Sequence, residues 1–106
     1  MNQKNIYWTP LAISSLRETH NFILQHWSYK VGEHFLYLID ERIDQLKINS
    51  EIAPKIEASN YRKLVIHKNI SLFYINETLI TKILLVWDNR QNPVDLREKL
   101  QESGNE

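Results

Sequence analysis

Two stretches concentrate the side chains able to do chemistry. Tyr61-Arg62-Lys63 leads to His67-Lys68, and Trp87-Asp88-Asn89-Arg90-Gln91-Asn92-Pro93 comes later in the chain. Guanidinium groups suit phosphate because their fork donates two parallel hydrogen bonds. Trp87, Tyr61 or Tyr74 could stack a nucleobase, and His67 is the residue type suited to proton transfer. If Arg62 begins one strand and Arg90 follows another, an antiparallel sheet could bring both to one end or open face. The structural alternative is that Arg62 pairs with an acidic residue while Trp87 plugs the core edge.

Other chemistries fit poorly. His20, His26 and His34 are separated by six and eight positions, not the three or four that align two metal ligands on a helix, and there is no cysteine to complete a zinc site. No metal and no cofactor is expected. Gly-x-Ser-x-Gly is absent, and two glycines cannot make a glycine-rich phosphate cradle. Asp40, Glu41 and Asp44 fall on the polar side of a helix and read as a solvated face.

The elements that must position these residues follow from periodicity. Ile6-Tyr7-Trp8 is β-prone, and Thr9-Pro10 places a helix N-cap before a first-turn proline. Ala12, Leu16, His20, Ile23 and Trp27 then recur along one helical face. Ser28 to Gly32 interrupts, after which Val31, Phe35, Leu38, Ile39, Ile43 and Leu46 mark a second amphipathic helix. Asn49 to Asn60 reads as a loop. From Lys63 the period becomes two: Leu64 and Ile66 share one face, Lys63, Val65 and His67 the other. Lys68-Asn69 and Asn76-Glu77-Thr78 are turns between three strands, the last running Leu79 to Trp87. Asn92-Pro93 could start a short helix over Val94 to Leu100.

The expected fold is α+β, in the order β-α-α-β-β-β with a short C-terminal helix. Two N-terminal helices pack on one face of a mainly antiparallel four-stranded sheet. Residues 1–100 make one domain and 101–106 a frayed tail. The other face, carrying Lys63, His67 and Lys82, is the natural place for a partner.

Composition bounds the partners. With 106 residues, formal net charge zero and no cysteine, the chain suits one domain without disulfides, fitting a reducing compartment and a cytoplasmic location. Met1 to Ile6 is polar, without a signal-peptide profile, and no apolar run is long enough for a bilayer. The zero hides a gradient: residues 1–59 sum to −1, 60–97 to +3 and 98–106 to −2. Anion recognition would rest on a few arginines, and neither broad DNA binding nor a membrane partner is expected.

These same residues carry a resemblance. Tyr7-Trp8-Thr9-Pro10-Leu11-Ala12, Tyr61-Arg62-Lys63-Leu64-Val65-Ile66-His67-Lys68-Asn69, Ile70-Ser71-Leu72-Phe73-Tyr74-Ile75 and Leu84-Leu85-Val86-Trp87-Asp88-Asn89-Arg90-Gln91-Asn92-Pro93 resemble the RelE/ParE superfamily of type II toxin–antitoxin toxins. Trp-x-x-Arg-x-x-Pro closing the last strand looks like the ParE branch. The resemblance implies growth inhibition through DNA gyrase or a comparable protein target, with Arg62, Lys68, Trp87, Asp88 and Arg90 as target contacts.

It also leaves alternatives. RelE- and YoeB-like members are ribosome-dependent mRNA endoribonucleases, and here Arg62, Lys63, His67 and Arg90 would be the catalytic candidates. Ser71 stands where that branch would have an arginine, no tyrosine follows Tyr74, and the terminal His-Tyr pair of YoeB is missing, so the set is incomplete. A third reading is a binding module of the same fold without activity. The family implies a cognate antitoxin whose disordered C-terminal segment wraps the toxin. Phe22, Leu24, Leu36 and Tyr37, off the main apolar faces, are the candidates to meet it.

Overall fold

Thr9 ends one element and starts the next. In the computed structural model, which describes residues 4–106, its hydroxyl accepts from Ala12 N–H at 3.1 Å and Pro10 opens the first helix, as the Thr-Pro pair predicts. Strand β1 (Asn5–Trp8) precedes helix α1 (Pro10–His26) and helix α2 (Tyr29–Ile48); strands β2 (Tyr61–His67), β3 (Ile70–Asn76) and β4 (Ile80–Asp88) come next, then helix α3 (Pro93–Gly104). Met1 to Gln3, part of the polar start without a signal-peptide profile, lie outside the described residues.

The sheet order is β1-β4-β3-β2. β1 runs parallel to β4, and both other pairings are antiparallel. Between the helical hairpin and the sheet lies one core, with Ala12, Ile23, Phe35, Ile39, Leu46, Leu72, Tyr74 and Ile83 buried. A second core, built on Phe73, Leu85, Trp87 and Leu100, lies on the opposite face. The face expected to be open is therefore largely covered. β3 and β4 are inner strands with nearly unbroken apolar runs, so both their faces need cover. Leu96 and Leu100 of α3 and Ile56 of the connecting loop supply it.

Helix α3 is longer than the expected Val94–Leu100, and residues 101–106 are no loose tail. Ser103 is buried, shares a 2.6 Å hydrogen bond with the Thr9 hydroxyl and donates to Leu84 C=O at 2.7 Å. Lys82 Nζ, expected on an open face, donates to Gly104 C=O at 2.9 Å, a cation at a helix C-terminus. Glu106 accepts from Leu11 N–H at 3.0 Å.

The expected break at Ser28–Gly32 shrinks to Trp27-Ser28. Ser28 caps α2, accepting from Val31 N–H at 3.1 Å. Gly32 lies inside that helix because the helices approach closely: a Cβ there would stand 2.7 Å from Leu24 Cδ2. No described helix is long and apolar enough to cross a membrane.

Candidate functional site

β2 and β4 are each antiparallel to β3, so they run in the same direction. Arg62 stands near the start of β2 and Arg90 just past the end of β4. Arg62 is level with Tyr74, which is level with Ile83. The rise from Ile83 to Asp88 is then roughly 17 Å at about 3.3 Å per residue. The two arginines occupy opposite ends of the sheet, and the expectation that they meet fails.

At its own end Arg62 is a structural clamp. Its Nη1 donates to Ala53 C=O at 2.6 Å, and Nε is buried without a partner. Tyr74 reaches the same loop, donating to Ser50 C=O at 2.9 Å and accepting from Ala53 N–H at 3.3 Å. Burial raises the Tyr74 phenol above its ordinary value, partly offset by the Ala53 N–H and the Arg62 charge. Arg62 thus pairs with loop carbonyls where an acidic partner was the expected alternative. The long loop is held where its backbone polar groups need partners.

At the other end, the β2–β3 turn and the β4–α3 connection are tied together. Asn89 N–H donates to Asn69 C=O at 2.6 Å and its side-chain amide to the Ser71 hydroxyl at 2.9 Å. Arg90 grips Asp88 in a fork, at 2.6 and 3.0 Å. That hydrogen bonding holds the Asp88 carboxyl below the usual range, against a smaller opposing effect of burial, and raises Arg90 in turn.

His67 reaches this end through an irregularity. The β2–β3 register shifts between Val65 and His67, so His67 pairs with Ile70, a residue of the hairpin-side core. Paired residues share a face, and a bulge re-aims the side chain after it. His67 therefore faces the helices, while Lys63, level with Phe73, faces the α3 side. Lys63 and His67 were expected together; they are separated. His67 instead lines a cavity of about 290 Å³ with Lys68, Arg90 and Trp27.

Trp87, read either as a target contact or as a plug of the core edge, is 5% exposed and belongs to the second core. Lys68, Asp88 and Arg90 stay near one another at the β4 end. Of the four residues proposed for a partner segment, Phe22, Leu36 and Tyr37 are exposed, whereas Leu24 is half-buried against Gly32. The Tyr37 phenol is raised by its hydrogen bond to Glu41.

Three residues matter more than their sequence context showed. Trp27, expected on the apolar stripe, is 51% exposed and stands between the basic cavity and a second one of about 310 Å³. Its place at the very end of the stripe was the available signal. Ser15 bonds to β4 through Val86 N–H, and Asn89 joins the two turns; short polar residues of this kind give no periodic signal. No group among the described residues could hold a metal ion.

Residues 6–93 match the family model described as the ParE toxin of type II toxin–antitoxin system, parDE. No curated protein sequence matches the chain. Among solved structures, the chromosomal ParDE TA system from P. aeruginosa aligns with TM-score 0.66 at 16% identity, covering 79% of this chain and 94% of that one. The YoeB dimer from Staphylococcus aureus aligns with TM-score 0.53 at 18% identity, covering 76% and 91%. At such identities these two likenesses speak for the fold.

Proposed function

The chain belongs to the ParE toxin family of type II toxin–antitoxin systems, and from that premise we propose that it arrests growth in the cytoplasm by binding a protein target, DNA gyrase or a comparable enzyme, and is neutralised by a cognate antitoxin. The observation that carries the choice of target is the separation of Arg62 from Arg90 by the length of the sheet. RNA cleavage needs a base at the 2′-OH, charge stabilisation at the phosphorane and an acid at the leaving oxygen, all around one phosphate. Arg62 is held by loop carbonyls at the far end, and Lys63 faces the α3 side. The cations left around Trp27, namely Lys68 and Arg90, suit charge pairing around an aromatic anchor on a protein surface. Exposed Phe22, Leu36 and Tyr37 on the helical hairpin suit the apolar side of an antitoxin segment.

A supercoiling assay with purified gyrase tests the target. Inhibition by the wild type and its loss in Lys68→Glu are expected; full gyrase activity at saturating toxin would overturn the choice. The second reading, a ribosome-dependent mRNA endoribonuclease, is favoured by one arrangement: His67, Lys68 and Arg90 line the same cavity. Its mark would be ribosome-bound mRNA cut by the wild type and spared by Arg90→Ala.

A further inference from the structure

Ladder pairing between β3 and β4 ends at Ile70 and Asp88, and Asn89, the next residue, carries the contact on. Its N–H donates to Asn69 C=O at 2.6 Å and its side-chain amide to the Ser71 hydroxyl at 2.9 Å. The residues after it bond backwards instead. Arg90 gives its N–H and both arms of its guanidinium fork to the Asp88 carboxylate, at 2.9, 3.0 and 2.6 Å. Gln91 N–H goes to Asp88 C=O at 3.0 Å. Asp88 to Gln91 is therefore one tight turn folded on Asp88, and Asn89 is its hydrogen-bonded link to the hairpin turn that carries Lys68.

The two bonds of Asn89 act differently. A single bond to Asn69 C=O leaves the turn free to pivot, and the second, to a residue two positions further on, sets its orientation. Lys68 and Arg90 are both exposed and line one cavity, yet they stand on separate segments, so their spacing depends on that link. Ser71 is fully buried, level with Val65 on one side and Trp87 on the other. Its hydroxyl meets the Asn89 amide and no other hydrogen-bond partner among the described residues. A partner protein does not reach Ser71, which can act on one only through Asn89.

We propose that Asn89, anchored on the Ser71 hydroxyl, is a positioning residue for target binding: it holds the Arg90 turn against the Lys68 turn, so that the two cations meet the target at a fixed spacing. The proposal rests on the reading of this end of the sheet as the target-binding surface. A surface made from two loops loses conformational freedom on binding unless the loops are ordered beforehand, and that loss is subtracted from affinity. The Asn89–Ser71 bond orders them in the free protein. Asn89 is itself exposed, so its own substitution would not tell positioning from direct contact. Substitution of Ser71 does.

The test titrates growth arrest against the level of full-length toxin in cells lacking an antitoxin. Asn89→Ala and Ser71→Ala should each raise the level needed by about 10-fold. The double variant should need no more than the worse single, because both remove one bond. Ser103→Ala, which breaks a buried hydroxyl pair at the C-terminal end of α3, should lose stability and leave the arrest level unchanged. In the purified free toxin, amide exchange at Asn89 should quicken by about 10-fold in Ser71→Ala. Unaltered exchange, additive losses in the double variant, or a loss in Asn89→Ala that Ser71→Ala does not share would overturn the positioning role and leave the target reading intact. An equal rise in Ser103→Ala would do the same. Gyrase untouched by a wild type whose arrest still depends on Ser71 would overturn the choice of enzyme alone. A wild type that arrests nothing would overturn both.

Discussion

Tyr74 stands opposite Arg62 across the β2–β3 pair, and the two side chains meet the same loop residue from different sides: Tyr74 accepts from Ala53 N–H, and Arg62 donates to Ala53 C=O. This relationship makes the start of β2 a structural anchor, and it separates stability from function along the length of the sheet. The loop pairs further with β2, through Lys63 N–H to Pro54 C=O and Ile56 N–H to Tyr61 C=O. Part of the exposed strand edge is thereby covered.

Tyr74→Phe should cost about 1–3 kcal/mol, because it removes a donor and an acceptor from groups with little access to water. Urea denaturation measures the loss. The phenol is raised in the folded state, so its contribution is complete below the ordinary tyrosine value of 10.0 and fades as pH rises through the higher folded value. In Tyr74→Phe that alkaline loss should be smaller than in the wild type. Arg62→Met should also destabilise, and the double variant should lose less than the two losses added together, since both act on one loop.

Trp87→Ala should lower stability by about 3–5 kcal/mol, the usual cost of emptying a large aromatic site in a core. For a chain of this size that is a large share of the whole folding free energy. Thermal unfolding by circular dichroism should show a marginal or unfolded variant. Trp87→Phe, which keeps much of the volume, should fold and retain growth arrest. Loss of arrest in a Trp87→Phe protein of wild-type stability would return Trp87 to the target surface.

The element order was legible because the sequence states it locally. Thr9-Pro10 marks a helix start, and the period changes from that of a helix to that of a strand after Asn60. The face or end that a side chain occupies could not be read locally. A single bulge residue, Ile66, is enough to turn His67 toward the helices, because side chains in a strand alternate strictly. The separation of Arg62 from Arg90 was implicit in two successive antiparallel pairings, which give β2 and β4 the same direction. Trp87 as core, and α3 as cover, follow from continuous apolar runs in β3 and β4 that one layer of helices cannot bury.

Ser103→Ala should cost about 1–3 kcal/mol, because it takes the nearer of two hydroxyl donors from the buried Leu84 C=O, leaving Thr9 at 3.4 Å, and removes a partner from Thr9. Removing residues 101–106 should cost at least as much, since Ser103 and the Glu106 contact to Leu11 N–H both go. Denaturant midpoints for the two proteins check this. A truncated chain as stable as the full one would mean that the helix end contributes nothing to holding α3 on the sheet.

Arg90→Ala should produce a pH-dependent change in melting temperature. The folded Asp88 carboxyl lies below its ordinary 3.8 because Arg90 hydrogen-bonds to it. Its stabilisation is therefore present above 3.8 and lost as pH falls through the lower folded value. The wild type should melt slightly higher than Arg90→Ala at neutral pH, and the gap should close in acid. Arg90 is exposed and Asp88 only half-buried, so the gap should be small and should shrink with added salt. A gap that widens in acid would contradict the pairing.

Lys68→Glu should separate target binding from folding. Lys68 is exposed in the β2–β3 turn and forms no ion pair among the described residues. Surface changes of this kind usually alter stability by less than about 0.5 kcal/mol. The charge reversal nevertheless places an acid beside Arg90 and His67 in the basic cavity, where it would neutralise the local positive field. For a target recognised through an acidic surface, the substitution turns attraction into repulsion and should reduce the association rate most strongly at low salt. Growth arrest on induction should be lost while antitoxin binding and the melting temperature stay near those of the wild type. If Lys68→Glu arrests growth as fully as the wild type at equal protein levels, the target does not bind at the β4 end of the sheet, and the contact must lie elsewhere on the molecule.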